Sequence, residues 1–209
     1  MSERQNSTVR SVPKRPWNKD KLVGVKPPLQ PKHVWAVRTR LQLDGQPRDL
    51  ALFNLAVDSK LRACDLVRLR VEDVAPHGYA VRRATVLQGK TGRPVRFEIT
   101  EQSRDAVDAY LASPKRSLGQ WLFPGSRGRP LTTRQYARLL KRWLAEIGLE
   151  TALFGTHSLR RTKATMIYRR TGNLRAVQLL LGHTKMESTV RYLGVEVDDA
   201  LVIAERIEI

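Results

Sequence analysis

His157 and Arg160 stand three residues apart in His157-Ser158-Leu159-Arg160, so on a helix they share one face. A second histidine follows in Leu181-Gly182-His183, and Tyr192 lies nine positions further on. These are cationic and proton-transferring groups gathered in the carboxyl-terminal half. Taken singly, each has an ordinary structural role. His157 near a helix start can cap it, and His183 after Gly182 can be a turn residue. Tyr192 between Val190 and Leu193 can be core or surface, and Arg160 with Arg161 can form a solvated face. Other chemistries lack their residues. No Gly-x-x-x-x-Gly-Lys-Ser/Thr phosphate loop occurs. His33, His77, His157 and His183 form no pair at metal-ligand spacing, and Cys64 is the single cysteine. Glu72-Asp73 and Asp198-Asp199 read as surface pairs. The sequence therefore predicts no metal site and no cofactor, and a metal-dependent nuclease is disfavoured.

Charge narrows the partner. The 209 residues carry 38 Lys+Arg against 20 Asp+Glu, a formal net charge of +18. Such an excess suits a polyanion, and nucleic acid is the default one. A lipid surface would call for a basic amphipathic helix with a bulky apolar face, which is not evident. No apolar run approaches membrane-spanning length, and the amino terminus does not read as a signal peptide. The hydrophobic fraction of 41% supplies a core, and one cysteine permits no internal disulfide, consistent with a reducing compartment.

Positioning such residues needs a scaffold, and the periodicities describe one. Residues 1–33, punctuated by Pro13, Pro16, Pro27, Pro28 and Pro31 and rich in Lys and Arg, read as a flexible basic arm. Val34, Val37 and Leu41 predict a short helix. A second helix opens at Pro47 and is apolar nearly all round through Val57, which places it in the core. Leu66, Val67 and Leu69 continue as one more helical piece. Tyr79, Val81, Ala84 and Val86, then Val95, Phe97 and Ile99, predict a β-hairpin around Gly89-Lys90-Thr91-Gly92. Thr100 is placed to cap a helix carrying Ala106, Val107, Tyr110 and Leu111. Thr132 opens an amphipathic helix through Ile147, and further helices follow over 158–170, from Asn173 to Leu181, over about 186–193 and over about 197–207. The fold class is α+β: one mostly helical domain, 34–209, with a small antiparallel sheet, preceded by the arm.

Taken together and in order, the segments resemble the tyrosine recombinase (phage integrase) family. The matching pieces are Ser59-Lys60-Leu61-Arg62-Ala63-Cys64-Asp65-Leu66, Gln88-Gly89-Lys90-Thr91-Gly92-Arg93, His157-Ser158-Leu159-Arg160-Arg161-Thr162, Leu180-Leu181-Gly182-His183 and Tyr192, over about residues 45–195. By that resemblance Arg62, Lys90, His157, Arg160, His183 and Tyr192 occupy the active-site positions. The implied activity is site-specific DNA recombination (integration, excision, inversion or resolution), with Tyr192 as nucleophile forming a 3′-phosphotyrosine. Lys90 would protonate the leaving 5′-oxygen, His157 would assist proton transfer, and His183 would donate to a non-bridging oxygen. Phosphodiester cleavage develops negative charge on two oxygens, which two guanidinium forks fit and neutralise. The competing reading is a catalytically idle DNA-binding regulator on the same fold. Lys60 stands where the family commonly has Gly, and Asp65 where Glu is commoner.

The resemblance also implies partners. These are double-stranded DNA, a homotetramer on paired sites linked by exchange of the carboxyl-terminal helix, and an accessory DNA-bending protein. It implies a cytoplasmic, DNA-associated setting of prokaryotic, phage or plasmid type. The chain is similar to short members that lack the usual amino-terminal core-binding domain, with the basic arm standing in for part of the clamp. Val197, Leu201, Ala204, Ile207 and Ile209 line one side of the last predicted helix, the face that would dock on a neighbouring copy.

Overall fold

A computed structural model describes residues 25–114, 116, 119–194 and 205. The first helix, α1 (Pro31–Leu43), buries Val34, Val37 and Leu41 and begins with Pro at its first position, where a missing N–H costs nothing. Helix α2 (Pro47–Ser59) is buried on every side from Ala51 to Ser59. It is the central rod, packed against α1, α5 (Glu101–Leu111) and α7 (Thr156–Thr171). Between α2 and the sheet lie two single turns, α3 (Ala63–Leu66) and α4 (Val71–Val74), rather than one helical piece.

The hairpin pairs β1 (Arg83–Leu87) with β2 (Pro94–Glu98), in a register that sets Ala84 opposite Phe97 and Val86 opposite Val95. It is shorter at its start than the alternation suggested. Tyr79 is exposed, and the Val81 N–H donates to the Val74 carbonyl at the end of α4, so those residues close a turn instead of extending the strand. Thr100 occupies the residue before α5, yet its side chain does not cap that helix. Its hydroxyl and its N–H both donate to the Asp58 carboxylate.

Helix α6 (Thr133–Glu146) carries a reciprocal cap between Thr132 and Gln135 and buries Tyr136, Leu140, Trp143 and Leu144. Helix α8 (Leu174–Leu181) is capped by the Asn173 side chain, and α9 (Met186–Leu193) ends at Gly194. Two apolar clusters result among the described residues. The large one spans α1, α2, α5, α6 and the sheet. The small one consists of Ala164, Val177 and Leu181, with Ile167, Tyr168, Tyr192 and Leu193 packed against it. Helix α9 is therefore held by little apolar surface, and Thr189 is its single buried residue.

The flexible arm expected through residue 33 does not extend that far. Residues 25–33 lie on the domain: Leu29 is buried, its N–H donates to Thr162 Oγ1, and Lys26 Nζ donates to the carbonyls of Ala152 and Phe154. One buried leucine and three backbone anchors overcome the basic, proline-rich composition. Residues 1–24 of the expected arm, and the helix expected over about 197–207, lie outside the described residues. Among the described residues no helix is long and apolar enough to cross a membrane.

Candidate active site

Arg160 lies on the first turns of α7, one turn after His157, and is only 2% exposed. Its Nη2 donates to the Leu181 carbonyl at 2.8 Å, at the carboxyl end of α8, while Nη1 is buried with no partner among the described residues. Arg161 is buried as well, so neither arginine belongs to a solvated face. Gly182 follows with φ +65°, and a Cβ there would sit 2.5 Å from Val95 Cγ2 and 3.0 Å from Gln88 Nε2. Only glycine lets the α8 terminus meet the hairpin so closely.

The chain reverses at Gly182 and delivers His183 to Arg160. His183 Nε2 is 3.5 Å from Arg160 Nη2, and His183 Nδ1 is 3.1 Å from Thr189 Oγ1. A guanidinium can only donate, so a neutral His183 accepts at Nε2 and donates from Nδ1 to Thr189. That tautomer differs from the donor role toward phosphate that the resemblance implies. Tyr192, on α9, stands edge-on to His183 with ring centroids 5.4 Å apart. The guanidinium carbons of Arg160 and Arg161 lie 5.7 and 4.5 Å from its ring centroid. Its hydroxyl is 3.5 Å from the His157 carbonyl oxygen.

Arg62 enters from the turn after α2. Its Nη1 donates to Gln88 Oε1 at 2.5 Å, and Gln88 Nε2 donates to the same Leu181 carbonyl that Arg160 uses. Gln88 is thus the bridge between the two arginines. Sequence reasoning missed it, although alternation along β1 puts position 88 on the inward face with Ala84, where a polar residue is a signal. Asp65 Oδ1 accepts from the Gly89 N–H and fixes the start of the turn that carries Lys90. Lys90 itself is exposed and bonds no described residue. The His157 ring likewise makes no hydrogen bond with a described residue. The structure therefore gathers Arg160, His183 and Tyr192 in contact, ties Arg62 to them through Gln88, and leaves Lys90 and the His157 imidazole free at the rim.

The electrostatics follow from burial among cations. Burial, with help from Arg160 and Arg62, pushes the His183 imidazole down to about 4. His157 is lowered for the same reasons, partial burial first and then Arg160, Arg161 and Arg62. Burial raises the Tyr192 phenol above its usual value, and the attraction of Arg160, Arg161 and Arg62 offsets only part of that. The cations alone do not make a phenolate here, so a reactive Tyr192 would need a group to take its proton.

A pH prediction follows for His183. Its folded value near 4 lies below the unfolded value of about 6.5, so the unfolded chain binds the extra proton in between. The His183 contribution is complete above about pH 6.5 and is lost as pH falls toward 4. Ring resonances of His183, assigned with His183→Gln and followed by NMR, should show no inflection between pH 5.5 and 8. An inflection near 6.5 would mean that the ring is not desolvated beside Arg160.

Comparison with known proteins agrees with this geometry. The model of the phage integrase family matches residues 40–198. Similar proteins include the probable integrase/recombinase YoeC of Bacillus subtilis, 31% identical over 159 residues covering 75% of this chain and 82% of that one. Tyrosine recombinase XerC of Neisseria gonorrhoeae is 31% identical over 192 residues, covering 86% of this chain and 61% of its own, so the chain spans less than two thirds of that relative. Among solved structures, XerA recombinase superposes with a TM-score of 0.71 at 19% identity, over 89% of this chain and 68% of that one, which shows the shared fold. With Arg62 tied through Gln88 to the carbonyl that Arg160 holds, His183 beside Arg160 and the Tyr192 ring under Arg160 and Arg161, all within the matched residues, the chain belongs to the phage integrase family of tyrosine recombinases.

Proposed function

We propose that this chain cuts and rejoins double-stranded DNA at specific sites through a covalent tyrosine intermediate. The observation that carries this is Arg160 Nη1, a buried guanidinium N–H without a partner among the described residues, next to Tyr192 and His183. A buried orphan donor is rare, and a non-bridging phosphate oxygen would satisfy it. Arg62, oriented by Gln88, would take the second oxygen. Tyr192 Oη then attacks phosphorus, the bond to the 5′-oxygen breaks, and the 3′-phosphate stays on the tyrosine. The phenol proton passes to the His157 imidazole, which partial burial and then the neighbouring arginines keep neutral and able to accept. Lys90, exposed in its turn, protonates the leaving oxygen. Reversal by another strand's 5′-hydroxyl rejoins the backbone without a cofactor, because the phosphotyrosine conserves the phosphodiester energy. A recombination event of this kind joins two sites, which a set of four copies on paired DNA would hold. Docking of the carboxyl-terminal segment between copies and an accessory DNA-bending protein complete the proposed assembly, in a cytoplasmic setting.

The test is direct. Full-length protein is incubated with a nicked, randomised duplex library, and covalent adducts are separated on a denaturing gel. Trypsin should release the peptide Tyr192–Arg206, which has no internal Lys or Arg, carrying the nucleotide. Tight duplex binding with no adduct from any library member would instead select the idle regulator.

A further inference from the structure

Arg161, next in sequence to Arg160, has no part in the chemistry above, yet it is 7% exposed and lies across the Tyr192 ring at 4.5 Å. Its Nη1 donates to the Lys26 carbonyl at 2.6 Å, and its Nε has no partner among the described residues. That carbonyl belongs to the strap of residues 25–30. The strap is clipped down at Ala152, Phe154 and Thr162, at distances of 2.9, 2.9 and 3.0 Å. Gly155, the residue before α7, leaves room for it: a Cβ there would come within 3.1 Å of Lys26 Cδ.

Two facts make this contact mechanical. Helix α9 has little apolar anchoring, so a cation against the tyrosine face is a large share of what holds it. Among the described residues the guanidinium has just one hydrogen-bonded partner, so its position across the ring depends on where the strap places the Lys26 carbonyl. Upstream of that carbonyl, the chain carries Arg4, Arg10, Lys14, Arg15, Lys19 and Lys21, groups suited to a phosphate backbone.

We propose that Arg161 is a positioning residue for Tyr192, set in place by the Lys26 carbonyl, so that the amino-terminal strap and the nucleophile are coupled through one side chain. The inference rests on the recombinase reading for its functional consequence, though the coupling itself exists without DNA. Tension or release in the strap on DNA binding moves Arg161, and Arg161 moves the phenol. A simple phosphate contact by Arg161 would weaken DNA affinity instead.

Two measurements on the full chain decide it. In protein labelled with 3-fluorotyrosine, Tyr192→Phe identifies the Tyr192 fluorine line among the five tyrosines. Arg161→Gln should shift and broaden that line while leaving the other four in place. Lys26→Ala, which unclips the strap at Ala152 and Phe154, should shift it in the same direction. In the Arg161→Gln background Lys26→Ala should add nothing. A Tyr192 line unmoved by Lys26→Ala, or additive effects of the two changes, overturns the coupling.

The second measurement is the single-turnover rate of adduct formation at saturating nicked duplex. Arg161→Gln should slow it about three- to thirty-fold, the worth of a partly desolvated cation–aromatic contact, with half-saturation unchanged. Arg161→Lys should restore part of the rate, since it keeps the charge and loses the fork. A loss confined to half-saturation would make Arg161 a phosphate contact and end the positioning role. Failure of the unmodified chain to form any adduct would count against the recombinase reading alone, because the fluorine measurement still decides the coupling.

Discussion

Replacing Arg160 by Met is expected to lower the rate of covalent adduct formation by roughly 10²–10³-fold or more, the usual cost of removing a charge-stabilising donor at a reacting centre. The same change is expected to leave stability toward urea intact or to raise it by the order of 1 kcal/mol. The two halves share one cause. Arg160 is buried among cations, so burial pushes its guanidinium below the usual arginine range, and Nη1 has nothing to donate to among the described residues. The Arg160 charge is only partly offset, by Tyr192 and Asp65. Its one firm bond, to the Leu181 carbonyl, is duplicated by Gln88 Nε2 at 3.3 Å, so that oxygen keeps a partner when Arg160 is gone. Met fills the stem's volume and brings no desolvated charge. Arg160→Lys should fall between, since an ammonium keeps the charge but lacks the planar fork. Urea midpoints and single-turnover adduct rates read the two effects separately. A fall of several kcal/mol in Arg160→Met would show that the guanidinium props the fold, and a rate within tenfold of the parent would show that it does not face the phosphate.

The contrast between Arg160 and Leu29 shows what could be foreseen. The candidate site residues stand out in the sequence because their chemistry is rare and they follow one another in a fixed order along the chain. His157 and Arg160 fell one turn apart because a helix puts them there, and Gly182 marked the reversal that carries His183 to Arg160. Helix α6 was legible from its apolar stripe and its Thr132 cap, and α2 from its unbroken apolar run. What escaped notice depends on single long-range contacts that leave no periodic trace. Leu29 is one apolar residue amid prolines and lysines, and nothing local says that it reaches Thr162. Thr100 matches a capping signal, but a carboxylate from α2 competes for its hydroxyl and wins. Arg161 looks like any charge on a helix until α9 folds back over it. Likeness to a family supplies the residues that share a chemistry, whereas contacts particular to this chain have to be found in its packing.

The largest stability effect is expected away from the reacting groups, at Asp58. Its carboxylate, 2% exposed, accepts from Lys163 Nζ at 2.8 Å on one oxygen, and from the Thr100 N–H, the Thr100 hydroxyl and the Ser103 hydroxyl on the other. Glu98 at the end of β2 accepts from both Lys163 and Lys60, and the Lys60 side chain is fully buried. Lys60 also holds a left-handed backbone, φ 54°, at the end of α2, two residues before Arg62. This cluster therefore joins α2, the sheet, α5 and α7 at the base of the site. Asp58→Ala removes the acceptor of the buried Ser103 hydroxyl and of the part-buried Thr100 N–H, and leaves two lysines to share one carboxylate, at a cost of about 3–5 kcal/mol. Asp58→Asn, which keeps an acceptor for Thr100 and Ser103, should cost less. The ion pairs with Lys163, assisted by the two hydroxyls, hold the Asp58 carboxyl below its usual range against burial. Its stabilisation is thus complete above about pH 4, the unfolded carboxylate range, and is lost as pH falls through the lower folded value. Lys163 is raised by Asp58 and Glu98 despite burial, so its share is present below about pH 10.4 and fades as pH climbs through its folded value. Urea midpoints measured across this range should show a plateau that narrows from the acid side. In Asp58→Ala the plateau should drop and its acid shoulder should flatten. Below about pH 4, where the His183 loss is already complete, an acid shoulder unchanged in Asp58→Ala would assign the acid sensitivity to Glu98, whose carboxylate is also lowered, by Lys60 first. Because Lys60 sets the chain's exit toward Arg62, the surviving folded fraction of Asp58→Ala should also cleave more slowly than its population accounts for, through displacement of that arginine from Gln88.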